Sequence, residues 1–401
     1  MSLAMVASKP SNTAPSSRPG GLVSASSGAR SPSRRSWLAL LALGLLVVLF
    51  HSPISRHVRA AALLARFEDT KAAQPVLDES LVSVPAPRGP VRARLFRPPG
   101  RPDAPGVVLV HGVHYKGIDE PRLLRFARSI ADAGVTVLAP EIAELADYHV
   151  DRRSIETVGA SMAFLAGQTG HEKVGVMGMS FGGGIALLTA ADPRFVSRAG
   201  FVVAVGAHDD LPRILRFFAT DEILDSTGKI RPWKAHGYGA TVLVYNEVSD
   251  FFPEEDVPAA RDALRAWLRE DREGARAIGA RMKPASREKL EKIFAPDITP
   301  MRGELLSVLA RHGGEDAGVS PRGHLAGLAA PVYLLHGAGD TIIPSTETEW
   351  LAKDVPRGTL RQVLVSRALA HVELEGEPGS MEKWALVHFM GQVLAEAEEM
   401  P

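Results

Sequence analysis

From residue 91 onward the chain alternates short, unbroken apolar runs with longer segments of helical spacing. Val91–Phe96, Gly106–Val110, Val135–Leu138, Val174–Met177 and Phe201–Val205 predict strands, while Leu123–Ala133, Ser154–Leu165 and Gly183–Ala190 predict helices between them. Gly134 is suited to end the first of those helices. Continuous apolar strands joined by helices describe a parallel sheet covered on both faces. Ligands of such sheets bind at the carboxyl ends of the strands. The alternation stops after Val205 and resumes at Pro331–Leu335, followed by a strand at Arg361–Val365 and a final helix at Met381–Ala397. The interval reads mostly as helix: Ala259–Glu273 and Arg287–Phe294 set Leu264, Trp267, Leu268, Leu290 and Ile293 against a charged, solvated face. An insertion in the sheet-forming chain is the economical account.

The front end is patterned differently. Met1–Ser36 is rich in Ser, Pro and Gly, too poor in large apolar residues to offset its ordering entropy, and is expected to be disordered. No acid occurs before Glu68, whereas Arg34 and Arg35 abut the run Trp37–Phe50. That run would make a helix of about 21 Å against a hydrocarbon core of about 30 Å. It is expected to be an uncleaved single-pass membrane anchor, with the flanking arginines keeping the N-terminus cytoplasmic and the body extracytoplasmic. The alternatives are an export signal cleaved near Ala60-Ala61-Ala62 and an organelle transit segment. A helix is expected over Arg56–Phe67. The organisation expected is therefore a tail (1–36), a hydrophobic segment (37–52), a linker with a leading helix (53–90), a first core part (91–208), a helical cap (209–326) and a second core part (327–401).

Composition narrows the chemistry. In 401 residues, 46 Lys and Arg balance 46 Asp and Glu, so no chain-wide basic field exists to bind nucleic acid. With no cysteine there is no disulfide, thiolate nucleophile, cysteine zinc site or iron–sulfur ligation. Phosphate-loop, H-E-x-x-H and G-x-G-x-x-G patterns are absent, so neither cofactor nor metal is expected. His208-Asp209-Asp210 reads as a loop cap rather than an ion site, because adjacent residues rarely converge on one ion.

The strongest chemical signal is Gly178-Met179-Ser180-Phe181-Gly182, a G-x-S-x-G pentapeptide between an apolar strand and an Ala/Leu-rich helix. A serine on a sharp strand-to-helix turn needs glycines on both sides, because packed backbone leaves no room for Cβ. The plainer reading is an ordinary glycine turn. Serine becomes a useful nucleophile only with a base to take its proton and a carboxylate to orient that base. Asp340, on the glycine-rich loop after Val332–Leu335, is the candidate acid, and His371, after the last strand, is the candidate base. Asp209 or Asp210, after the strand ending at Val205, are competing acids. An oxyanion would be met by backbone N–H groups; Phe181 N–H and Val113 N–H are the candidates, with His111 read as a brace for the loop.

With these residues in the order Ser180, Asp340, His371, the chain from about Val91 to Leu394 resembles the α/β-hydrolase superfamily. His336-Gly337-Ala338-Gly339-Asp340-Thr341-Ile342-Ile343-Pro344 is similar to the acid loop common among its esterases and lipases. The resemblance implies a mostly parallel central sheet flanked by helices, with a largely helical cap inserted between nucleophile and acid. It also implies a cofactor-free serine hydrolase whose partner is a small-molecule acyl substrate. Acyl transfer, peptide or thioester cleavage on the same triad, or a non-catalytic membrane-anchored binding module, are the alternatives. Phe217, Phe218, Trp233, Tyr238, Phe251, Phe252 and Trp267 either line an acyl pocket or form the cap's own core.

Overall fold

Side chains that alternate strictly between two apolar layers explain the unbroken apolar runs. Val108, Val110, Val174, Val176, Val202 and Ala204 belong to one buried cluster, while Val107, Leu109, Met177, Met179, Val203 and Val205 belong to another. A strand buried on both faces has no polar side to show. The computed structural model describes residues 52–400 apart from 72, 74, 313–315, 371–372 and 375–378. In chain order the strands are β1 (Asp78–Val84), β2 (Val91–Arg97), β3 (Gly106–Val110), β4 (Thr136–Pro140), β5 (Val174–Met179), β6 (Ala199–Val205), the small ribbon of β7 (Glu222–Leu224) and β8 (Ile230–Pro232), then β9 (Val332–Gly337) and β10 (Leu360–Ser366). The main sheet has eight strands in the order β1-β2-β4-β3-β5-β6-β9-β10. β2 is antiparallel to both β1 and β4, and every other pair is parallel.

Helices cover both faces. Helix α1 (52–68) and α2 (Pro121–Asp132) pack on one side, contributing Ala60, Leu63, Phe67, Leu123, Phe126 and Ile130 to its core. The short α3 (Ala143–Ala146) leads into α4 (Arg153–Thr169), which with α5 (Phe181–Ala191) covers the other side through Ile155, Met162, Leu165, Ile185 and Leu187. Glu120 caps α2 by accepting the Leu123 N–H at 2.8 Å, and Gly134 follows that helix at φ 98°.

The segment between β6 and β9 is mostly helical: α6 (Leu211–Thr220), then beyond the ribbon α7 (Tyr238–Asn246), α8 (Val248–Phe251), α9 (Val257–Leu268), α10 (Arg272–Gly279), α11 (Pro284–Phe294) and α12 (Arg302–His312). It has its own apolar cluster, including Leu243, Val244, Tyr245, Leu264, Leu290, Ile293 and Leu305, joined by Tyr148 from the sheet's loop after α3. Beyond it come α13 (Thr346–Asp354), a hairpin of β11 (Leu369–Ala370) and β12 (Glu373–Leu374), and α14 (Ser380–Glu399).

Three expectations change. Val91–Phe96 does not lead the sheet; β1 precedes it as an edge strand, whose mixture of Asp78, Glu79, Ser80 and Ser83 with apolar residues hid it. The helix expected over 259–273 is two, broken at Glu270, which sits at φ 69°, with Asp271 accepting the Gly274 N–H at 2.9 Å. The membrane anchor, with the extracytoplasmic placement built on it, is also corrected. Among the described residues no helix is long and apolar enough to cross a membrane. Trp37–Phe50 itself lies outside the described residues. Its length as a helix falls about 9 Å short of a hydrocarbon core, and the helix that follows, α1, is amphipathic, burying Ala60, Leu63 and Phe67 while Arg56 pairs with Glu398 at 2.7 Å.

Candidate active site

β5 ends at Met179, α5 begins at Phe181, and Ser180 makes the whole turn between them at φ 55°, ψ −133°. A non-glycine residue held there stores strain of about 1–3 kcal/mol, which persists only where the surroundings dictate it. Here they do. The Ser180 N–H donates to the Val205 carbonyl at 2.7 Å and its carbonyl accepts the Gly183 N–H at 2.8 Å. A Cβ on Gly178 would lie 2.2 Å from the Gly182 carbonyl oxygen, and one on Gly182 2.3 Å from that of His111. Both glycines therefore let three stretches of backbone meet: β5, the start of α5 and the loop after β3. Gly112 belongs to the same contact, since its Cβ would come within 3.0 Å of the Ser180 Cβ. Ser180 is 4% exposed.

The loop after β3 is held by His111, which is fully enclosed. Its Nε2 accepts the Ile142 N–H at 2.9 Å, so its proton is on Nδ1, which donates to the Gly112 carbonyl at 2.7 Å. Burial holds its pKa below the usual histidine value. Both nitrogens are committed, so His111 is a brace. Among the described residues, neither the Phe181 N–H nor the Val113 N–H donates to a protein acceptor. The first is one of the orphan donors at the start of α5, where the helix dipole favours negative charge.

Asp340 lies on the loop after β9 and is 1% exposed. Its Oδ1 accepts the N–H groups of Ile342 (2.8 Å) and Ile343 (2.9 Å), which hold the carboxylate in one orientation. His336 supports the loop from within the core: Nε2–H donates to the Ile343 carbonyl at 2.8 Å, Nδ1 accepts from the Thr348 hydroxyl at 2.6 Å, and Nε2 lies 3.4 Å from Asp340 Oδ2. β6 lies between β5 and β9, so the strand ends bearing Ser180 and Asp340 are separated by two inter-strand spacings, about 10 Å. Proton transfer between those ends therefore needs a third group. His371 follows β11 in the chain and lies outside the described residues.

The fold is that of the α/β-hydrolases. The strand order, the antiparallel second strand and the strained serine after β5 carry that statement. No family model matches the sequence, and no curated protein matches it. Among solved structures, a Mycobacterium tuberculosis puromycin-hydrolyzing peptidase is similar at 16% identity and a TM-score of 0.46, over 83% of this chain and 40% of that one. The 2,6-dihydroxy-pseudo-oxynicotine hydrolase is similar at 14% and 0.44, over 93% of each chain. A Pyrobaculum calidifontis esterase is similar at 14% and 0.41, over 91% of this chain and 98% of that one. These are likenesses of architecture only.

Within this α/β-hydrolase fold the competing acids are engaged elsewhere. Asp209 Oδ2 accepts from Arg213 Nη2 at 2.8 Å, and Arg213 is shared with the buried Glu347, which also accepts the N–H groups of Asp209 (2.9 Å) and Asp210 (3.0 Å). Asp210 Oδ2 pairs with Arg322 at 2.7 Å. The network ties the loop after β6 to α13.

One cavity opens at the serine and a second adjoins it through Val113 and Tyr238. The first, about 970 Å3 counting its open mouth, is lined by Ser180, Gly112, His114, Glu120, Arg122 and His236 among others, and is the more polar of the two. His114 in it has its pKa lowered, chiefly by burial. The other, about 670 Å3 counting its mouth, lies under the insertion and is mainly apolar, with Val113, Phe181, Leu215, Phe218, Val242 and Leu309 in its wall. Val113 and Tyr238 line both. Of the inserted aromatics, Phe217 and Phe218 join the main core, Phe251 and Phe252 join the insertion's own, and Trp267 stacks on Phe294. Sequence reasoning named Trp233 and Tyr238 as candidate pocket residues but missed His236 and the strap the three form. Trp233 Nε1–H donates to the Asp340 carbonyl at 2.9 Å and the His236 N–H to the Thr341 carbonyl at 2.8 Å, so the strap docks on the acid loop. Its aromatic density within a largely helical interval was the available signal.

Glu247, Asp250 and His312 bring one candidate metal-ligand atom each within 4.8 Å of one another. Asp250 accepts from Arg311 Nη2 at 2.7 Å and from His312 Nε2 at 2.8 Å. The Nε2 of His312 therefore carries a proton rather than a lone pair for a metal, and the group is an ion-pair cluster.

Proposed function

We propose that the chain is a serine hydrolase that cleaves carboxylic esters or related acyl compounds through an acyl-enzyme. Ser180 is the nucleophile, His371 the general base, Asp340 the carboxylate that orients it, and the N–H groups of Phe181 and Val113 bind the oxyanion. The observation that carries this reading is the strained, non-glycine conformation of Ser180 at a glycine-walled turn whose only advantage is to present a hydroxyl at the sheet's edge. His371 takes the Ser180 proton as the oxygen attacks the acyl carbon, and returns it to the leaving group as the tetrahedral adduct collapses. A water activated by the same histidine then releases the acid and frees Ser180. The inserted segment, 209–326, acts as a cap over the acyl group, and no cofactor is required.

The test is labelling of the purified protein by a fluorophosphonate probe together with turnover of a chromogenic acyl ester. Ser180→Ala is expected to abolish labelling and reduce turnover roughly 10⁶-fold. Labelling or turnover equal to wild type defeats the assignment. Asp340→Asn is expected to lose about 10⁴-fold in kcat, whereas Asp209→Asn keeps its activity; the reverse moves the acid to the loop after β6.

A further inference from the structure

We infer that the apolar cavity under the insertion holds the acyl part of the substrate, and that this part is a medium-length apolar group bearing a hydrogen-bond donor at its far end. The inference rests on the reading of Ser180 as nucleophile and adds the substrate's chemical class. The two residues proposed to bind the oxyanion, Val113 and Phe181, both stand in the cavity wall, so an acyl carbon held against their N–H groups has its chain directed into this cavity. The polar cavity, with Glu120, Arg122 and His236, is left for the leaving group and water.

The cavity's reach follows from α7. Tyr238, Val242, Asn246 and, one residue over, Leu243 and Glu247 form a stripe along that helix, and all line the cavity. Tyr238 also borders the serine's polar cavity, and Asn246 lies eight residues on, about 12 Å along the helix axis. Asn246 and Glu247, at the C-terminal end of α7, and His312 on α12 stand in the wall beside Val308 and Leu309. The Asn246 amide spends its Nδ2 donors on the carbonyls of Tyr148 (3.1 Å) and Val242 (2.9 Å), so its Oδ1 is the atom it offers a ligand. Arg311 is held by Asp250 at 2.7 Å, so that cation is committed. The Glu247 carboxylate faces His312 Nε2 at 3.7 Å, so the Asn246 Oδ1, beside the negative end of the α7 dipole, is the acceptor that selects a hydroxyl or amide donor.

The experiment compares kcat/KM for p-nitrophenyl acetate, octanoate and ω-hydroxyoctanoate in the intact chain. Wild type is expected to favour octanoate over acetate by at least about tenfold and ω-hydroxyoctanoate over octanoate by a further severalfold. Val242→Phe, and independently Leu309→Phe, should collapse the octanoate-to-acetate ratio, and Asn246→Leu should bring the ω-hydroxyoctanoate-to-octanoate ratio down to about one. A general folding defect would lower all three substrates together and leave the ratios intact. An unchanged ratio in both blocking variants, or no ω-hydroxy preference in wild type, overturns the inference. If wild type cleaves no ester, the hydrolase reading fails by itself. Calorimetric binding of ω-hydroxyoctanamide, lost in Val242→Phe, then still decides the cavity.

Discussion

Asp209 is 1% exposed, and it shares a single guanidinium, that of Arg213, with a second buried carboxylate, Glu347. Its Oδ1 has no hydrogen-bond partner among the described residues. Burial is the largest influence and pushes its pKa from 3.8 up to about 7, with the Glu347 charge adding to the rise and the Arg213 hydrogen bond opposing it. The folded protein therefore keeps a proton that the unfolded chain has already released between about pH 4 and pH 7. The contribution of Asp209 to folding stability must fall as pH rises through that window and level off above it. At about 1.36 kcal/mol per pKa unit the ceiling on this loss is roughly 4 kcal/mol. Asp209→Asn preserves size and a carbonyl for Arg213 while removing the titration. Urea denaturation at pH 5 and at pH 8 should show the variant gaining on wild type by about 1–3 kcal/mol between the two conditions, whatever constant offset the altered hydrogen bond adds. Parallel wild-type and variant curves across that range would refute the picture of Asp209 held protonated beside Glu347 on a shared cation.

Ser180→Gly should be more stable than Ser180→Ala by about 1 kcal/mol, because glycine relieves φ 55° and alanine does not; equal melting temperatures would show the turn to be unstrained. Gly182→Ala sets a Cβ 2.3 Å from the His111 carbonyl oxygen, which is backbone and cannot swing aside. A loss of at least about 1–3 kcal/mol is expected in thermal unfolding. His111→Phe orphans the Ile142 N–H and should lose about 1–3 kcal/mol at neutral pH. Because burial holds His111 neutral in the folded state, its own contribution to stability falls below about pH 6.5, so the difference between wild type and variant should narrow toward acid pH in the same denaturation series.

The sheet was legible because a strand buried on both faces must be apolar throughout, as β3, β5 and β6 are. The serine turn was legible because only glycine fits where Gly178 and Gly182 lie against backbone. β1 was not, since an edge strand covered on one side carries the polar residues of a loop. The division of one expected helix into α9 and α10 was equally hidden, because the break lies in the backbone angle of Glu270 and not in its chemistry.

The local rules written into the chain thus determine which segments are the fully buried strands, where the helical interval begins and which serine is forced into a strained turn. Tertiary structure alone decides the partners. The commitment of Asp209 to Arg213 and Glu347, of His111 to Ile142, and of Trp233 to the Asp340 loop joins residues far apart in sequence. So does the meeting of α7 with the serine's loop to enclose a cavity. Such contacts depend on how whole elements pack, and no spacing of residues along one strand or helix encodes them.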